Sequence, residues 1–151
     1  MRVQDTLDYL TGEWTLDRAI VDHRGAGTGA FEGHGALRTA GRRGRYEEWG
    51  RLRLGGYDGS ARRALDLIAG PDGAVAVRFV DGRPFFELDL VTGTCRAVHP
   101  CRQDRYELEF EVSSPDVLVE RWRVTGPAKD YEARTVWRRR TGLMARSLTR
   151  T

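Results

Sequence analysis

The sequence predicts an all-β fold, a single antiparallel β-barrel of about ten strands with a short N-terminal helix. Three observations predict it. The 18 glycines among 151 residues stand as punctuation rather than as one low-complexity tract. Between breakers such as Gly25-Ala26-Gly27, Gly55-Gly56, Pro71-Asp72-Gly73, Asp81-Gly82 and Gly126-Pro127 lie runs of roughly 8–12 residues, the spacing of a barrel or sandwich and not of βαβ units. Within those runs apolar residues recur with period two.

Taken in order, the elements justify that class. Asp5 caps a helix of about two turns whose Leu7 and Leu10 fall three apart. In the first strand Trp14, Leu16, Arg18 and Ile20 share one face and Thr15, Asp17, Ala19 and Val21 the other. A strand over 28–40 follows. The next has Tyr46, Glu48, Leu52 and Leu54 on one face, opposed by Arg45, Glu47, Trp49, Arg51 and Arg53, so that Glu48 lands on the apolar side. Strands over 62–69, 74–80 and 84–91 come next, the last two joined by an Asp81-Gly82-Arg83-Pro84 hairpin between Phe79 and Phe85. After a strand over 94–99, Tyr106, Leu108, Phe110 and Val112 alternate with Glu107, Glu109 and Glu111, the signature of a half-buried antiparallel strand. Strands over 117–124 and 130–138 complete the set. Short connections imply a meander, and closing it into a barrel removes exposed edges and leaves room for an internal ligand.

Composition bounds the rest. The length is that of one domain, and 40% apolar with 31% charged residues is a globular composition. No run approaches the ~20 apolar residues of a membrane span, and polar residues occupy the place of a signal-peptide core, so a cytoplasmic protein is expected. Cys95 and Cys101 are too few for a disulfide framework and are expected as free thiols. Arg138, Arg139, Arg140, Arg146 and Arg150 crowd the C-terminus, and removing those five charges from the net +3 leaves −2. The expected division is a barrel over 1–140 and a basic tail over 141–151, with neither nucleic acid nor membrane as partner.

Gly12-Glu13-Trp14, opening the first strand after a short helix, resembles the Gly-x-Trp start of calycin barrels, the lipocalin and fatty-acid-binding superfamily. That resemblance implies an arginine of the final strand, Arg138 or Arg139, packed over the Trp14 ring. A closer resemblance covers nearly the whole chain. Leu10-Thr11-Gly12-Glu13-Trp14, Tyr46-Glu47-Glu48-Trp49-Gly50, Phe79-Val80-Asp81-Gly82-Arg83-Pro84-Phe85, His99-Pro100-Cys101-Arg102-Gln103-Asp104-Arg105-Tyr106 and Trp122-Arg123-Val124-Thr125-Gly126-Pro127-Ala128-Lys129-Asp130-Tyr131 are similar to an actinobacteria-rich domain-of-unknown-function family, number 6314. It implies a calycin-like barrel and leaves the chemistry open.

Two constellations carry chemistry. His99, Cys101, Asp104 and Tyr106 cluster around the Pro100 turn, where a histidine beside a carboxylate is a general base and a tyrosine hydroxyl an oxyanion donor. The alternative is structural: Asp104 caps the turn, His99 bonds backbone and Tyr106 closes the barrel end. Arg18, Tyr46 and Glu48 are polar residues on apolar faces, and burying their charge costs several kcal/mol unless it is paired. They form an internal salt bridge or meet a polar ligand group, with Glu48 as a further proton carrier. Trp122, Arg83 and Cys101 are expected in the ligand lining, Arg83 as a gate at the mouth. Lys129 suits a Schiff base only if buried. His99, Cys101 and Asp104 fall short of a four-ligand zinc pattern, and no nucleotide loop is present, so neither metal nor cofactor is expected.

The resulting expectation is a barrel around a small hydrophobic organic molecule, acting as a cofactor-free acid–base enzyme (an isomerase, cyclase or dehydratase) with His99, Asp104, Tyr106 and Glu48 catalytic. The alternative is a non-catalytic carrier or sensor, with haem on a histidine as one version. A homodimer is the one protein partner admitted.

Overall fold

The computed structural model describes residues 1–141. One helix and ten strands follow in order: α1 (Thr6–Leu10), β1 (Gly12–Asp22), β2 (Gly27–Ala40), β3 (Arg43–Leu54), β4 (Tyr57–Ala69), β5 (Val75–Phe79), β6 (Pro84–Leu88), β7 (Thr94–Cys101), β8 (Asp104–Ser114), β9 (Val117–Thr125) and β10 (Asp130–Arg139). All pairings are antiparallel, in the order β6-β5-β4-β3-β2-β1-β10-β9-β8-β7. The sheet therefore curls into a nearly closed barrel in which β1 and β10 pair from Trp14↔Arg139 to Asp22↔Tyr131 and the seam falls between β6 and β7. Among the described residues no helix is long and apolar enough to cross a membrane.

One end is plugged. Asp5 caps α1 by accepting from the Asp8 N–H at 3.0 Å, and Leu7 and Leu10 face inward. Trp14 is wholly buried beneath it, with its indole N–H donated to the Leu10 carbonyl at 2.9 Å. Strand parity selects Arg139, not Arg138, to cover that ring: its guanidinium lies 4.2 Å from the Trp14 centroid and donates to the Tyr9 carbonyl at 2.7 Å and the Thr11 carbonyl at 3.2 Å. Gly12 accommodates the crossing with φ +119°, a conformation that side chains disfavour.

The C-terminal basic run is thus divided. Arg139 and Arg140 belong to the fold, the Arg140 N–H bonding the Glu13 carbonyl at 2.9 Å, while the expected tail lies, beyond Thr141, outside the described residues. β7 also runs past the expected stop at His99, through Pro100 to Cys101. It is an edge strand, where a proline's missing N–H costs no ladder bond.

From the plugged end a column of rings climbs the interior. Trp14 meets Trp137 edge-on at 5.8 Å, and Tyr46 stacks on Trp137 at 5.2 Å. Gly35, paired beside Glu48, makes room for the top of that column, since a Cβ there would sit 3.0 Å from the Tyr46 hydroxyl. Polar chemistry begins at that hydroxyl.

Candidate functional site

Alternation on five strands delivers one charged cluster to the middle of the barrel. β1 contributes Arg18, β3 Tyr46 and Glu48, β4 Arg63, β9 Glu120 and β10 Thr135. The carboxylates are the deeper members, with side-chain exposure of 2% for Glu48 and 4% for Glu120 against 14% for Arg18 and 31% for Arg63. Glu48 is held from three sides: Arg18 Nη2 donates at 3.0 Å, the Tyr46 hydroxyl donates at 3.0 Å, and Arg63 Nε lies 2.7 Å from Oε1. Arg18 is itself fixed by donating from Nε to Thr135 Oγ1 at 2.8 Å and lies 5.0 Å from the Phe31 ring centroid. Glu120 is more loosely paired, 3.9 Å from Arg18 Nη2.

This asymmetry separates the two acids. Burial works to raise the Glu48 carboxyl, but the Arg63 and Arg18 charges with the Arg18 and Tyr46 hydrogen bonds outweigh it, and Glu48 titrates below the usual range. Burial also works on Glu120, and there it wins over Arg18 and Arg63, with the Glu48 charge adding to it, so Glu120 titrates above the usual range. The Tyr46 hydroxyl is pushed well up by its burial and by Glu48. The two buried carboxyls of one cluster are thus shifted in opposite directions from their ordinary value.

Above the cluster the barrel opens into a cavity of about 280 Å³. Its walls are largely apolar, including Ile20, Phe31, Leu52, Leu54 and Ala61, and Arg18, Glu48 and Arg63 line it as well. Arg63 reaches across the mouth from β4 to β9 and places its guanidinium 4.8 Å from the Trp122 ring centroid.

The other sequence-predicted residues lie to one side. His99 pairs with Tyr106 in the ladder, ring centroids 5.9 Å apart, and packs edge-on against Phe85 at 5.1 Å. With Arg63, Trp122 and Tyr131 they line a neighbouring cavity of about 270 Å³, which Cys101 also borders. Asp104 turns to the rim, where its carboxylate lies 3.0 Å from Lys129 Nζ. Lys129 also donates to the Tyr106 hydroxyl at 3.2 Å. It is exposed, and its hydrogen bonds to Asp104 and Tyr106 raise its pKa, the opposite of what a Schiff-base lysine requires. Arg83 is exposed on the β5–β6 turn, bonded to Asp81 at 2.7 Å. Cys95 and Cys101 are free thiols, and burial raises that of Cys95.

Arg63, Glu120 and Thr135 are the cluster members not among the sequence candidates. A signal for two of them is present: Ala61, Arg63, Leu65 and Leu67 share one face of β4, and Leu118, Glu120, Trp122 and Val124 one face of β9. It is the same charge-on-an-apolar-face pattern that marks Arg18 and Glu48.

Fold and site together define a class: a nearly closed ten-stranded antiparallel barrel, sealed at one end by a helix and an arginine-covered tryptophan, with a buried charged cluster beneath an open cavity. Within that class the chain belongs to the Family of unknown function (DUF6314), which it matches over residues 10–139. No curated protein matches its sequence. Among solved structures it is similar to the S-type phycobiliprotein lyase CPES from Guillardia theta, with TM-score 0.68 and 10% identity over 94% of each chain. It is also similar to a de novo designed fluorescence-activating β-barrel, with TM-score 0.49 and 14% identity over 91% of this chain and 100% of that one. At 10% identity the feature held in common with the lyase is the fold.

Proposed function

We propose that this protein binds one small, partly apolar organic molecule at the open end of the barrel, with its apolar part against Ile20, Phe31, Leu52 and Leu54 and its polar group at Arg63. One observation carries the proposal: a cavity of about 280 Å³ has apolar walls directly above a buried charged cluster, the layout of a small-molecule site in which a few polar groups orient an apolar ligand. A fold shared with a phycobiliprotein lyase is in keeping with it. The charges that line its floor are paired, Glu48 with Arg18 and Arg63, as their burial requires.

A second reading, acid–base catalysis without a cofactor, rests on the opposite shifts of Glu48 and Glu120. Isomerisation, cyclisation or dehydration of the bound molecule needs a proton donor, a proton acceptor and a dry pocket. In this reading Glu48 faces the bound molecule in the mouth cavity, with Glu120 behind it at the deeper gap. His99 and Tyr106 serve as lining, since the Asp104 carboxylate is engaged by Lys129.

The test is a fluorescence titration with the uncharged apolar probe N-phenyl-1-naphthylamine. Wild type is expected to enhance its emission saturably, and Ala61→Trp, which fills the cavity from an inward position of β4, to abolish the enhancement without lowering the melting temperature. Equal enhancement by both proteins would place the probe elsewhere and reject the proposal.

A further inference from the structure

We propose that the ligand is an elongated organic anion with two arms, one in the mouth cavity and one in the neighbouring cavity along the β6–β7 seam, with its charge held at Arg63 between them. The inference rests on the mouth cavity being a binding site and names the class of molecule it takes.

The wall between the two cavities is the point of departure. Arg63, Trp122 and Tyr131 border both. Arg63 and Trp122 also border a third, apolar gap of about 40 Å³ deeper in the barrel. What divides the interior is thus a pair of side chains meeting across the lumen at 4.8 Å, not a strand. An arginine on a long stem, 31% exposed, can change rotamer where backbone cannot, and a ligand lying along the Arg63–Trp122 bar touches both spaces.

Size, lining and charge point the same way. Alone, the cavities of about 280 and 270 Å³ fall just short of the ~300–1,000 Å³ usual for small-molecule sites, and joined they lie well inside it. The second is aromatic: Phe79 and Phe85 stack at 4.6 Å, His99 stands edge-on to Phe85 at 5.1 Å, and Tyr106 meets Phe85 edge-on at 6.0 Å. Ring edges and faces of this kind receive a flat conjugated arm. Glu48 already accepts from Arg18 and Tyr46 and has Arg63 beside it, so a ligand donor finds little free acceptor there, whereas the guanidinium of Arg63 faces both cavities. Its planar fork suits a carboxylate or sulfonate. β6 and β7 are the two strands of the barrel that no ladder joins, and side chains such as Phe85 and His99 pack across that seam.

Two probes with one skeleton test this: 8-anilinonaphthalene-1-sulfonate, which has two aromatic arms and one anionic group, and its uncharged counterpart N-phenyl-1-naphthylamine. Wild type should bind the sulfonate about tenfold or more tighter, as expected for charge-assisted hydrogen bonds. Arg63→Met should erase that preference and Arg63→Lys keep most of it. His99→Trp, filling the aromatic cavity, should weaken both probes as Ala61→Trp does in the mouth. Unchanged affinity in His99→Trp alongside loss in Ala61→Trp would confine the ligand to the mouth and overturn the two-armed proposal. A preference for the sulfonate that survives in Arg63→Met would overturn the charge assignment. Failure of both probes to bind wild type, or indifference to Ala61→Trp, would instead remove the underlying reading of the mouth cavity. Melting curves accompany each variant, and Tyr106→Trp replaces His99→Trp if the latter does not fold.

Discussion

Arg18, Tyr46 and Glu48 are legible in the sequence because a charge breaking period-two apolar alternation has to point inward, and their contacts at 3.0 Å follow. Arg63 and Glu120 break the same rule but are masked by their neighbours: Arg62 and Arg121 set further charges beside them, and Val117 and Val119 make the opposite face of β9 apolar too. Which acid is loosely paired is not legible at all, since it depends on distances across the barrel. The difference has a thermodynamic consequence. Glu120 titrates above its ordinary value of 4.5, so the folded state favours its protonated form. That contribution is complete below the ordinary value and is lost as pH rises through the raised one. Calorimetry from pH 4 to 8 should therefore show Glu120→Gln gaining in melting temperature relative to wild type as pH increases; a constant difference would show that Glu120 titrates normally. Glu48, held below the usual range, contributes in the opposite sense, present above the usual carboxylate value and lost as pH falls through its lowered one. Its removal by Glu48→Gln should cost most near neutrality. At the plugged end, Trp14→Ala should cost ~3–5 kcal/mol, as for other buried aromatics, read by urea denaturation; an unchanged midpoint would contradict the closure.

At the scale of elements, glycine punctuation locates the hairpins because turns demand the left-handed conformations that glycine permits: Gly82, with φ +91°, turns β5 into β6. Strand lengths are less legible. β7 continues through a proline, a residue that ordinarily ends a strand, because its outer side carries no partner. The position of the seam is not legible either, as each strand carries the same alternation whether or not it is paired on both sides. Being bonded on one side only, β6 and β7 should exchange their outward amides fastest of the ten strands, and hydrogen exchange read by mass spectrometry checks this. Slow exchange there, equal to β1 and β10, would mean a closed seam.

For the whole molecule, a single barrel with a cavity can be inferred from ten short runs and the Gly-x-Trp start, whereas the division of its interior cannot. It depends on Arg63 and Trp122 meeting from strands far apart in sequence, on β4 and β9. Among the described residues every ladder partner lies before Arg140, and a chain ending at Thr141 is expected to fold with an unaltered circular dichroism spectrum and melting temperature. Loss of cooperative melting would show that the remaining residues are needed. The central claim, that the open end of the barrel is a small-molecule site, is tested most directly by methyl NMR during titration with N-phenyl-1-naphthylamine. The predicted result is saturable shifts at Ile20, Leu52, Leu54 and Ala61, with Leu7, Leu10 and Leu90 around the plugged end unmoved. Shifts confined to exterior methyls such as Val21 and Val98, or none at all, would contradict it.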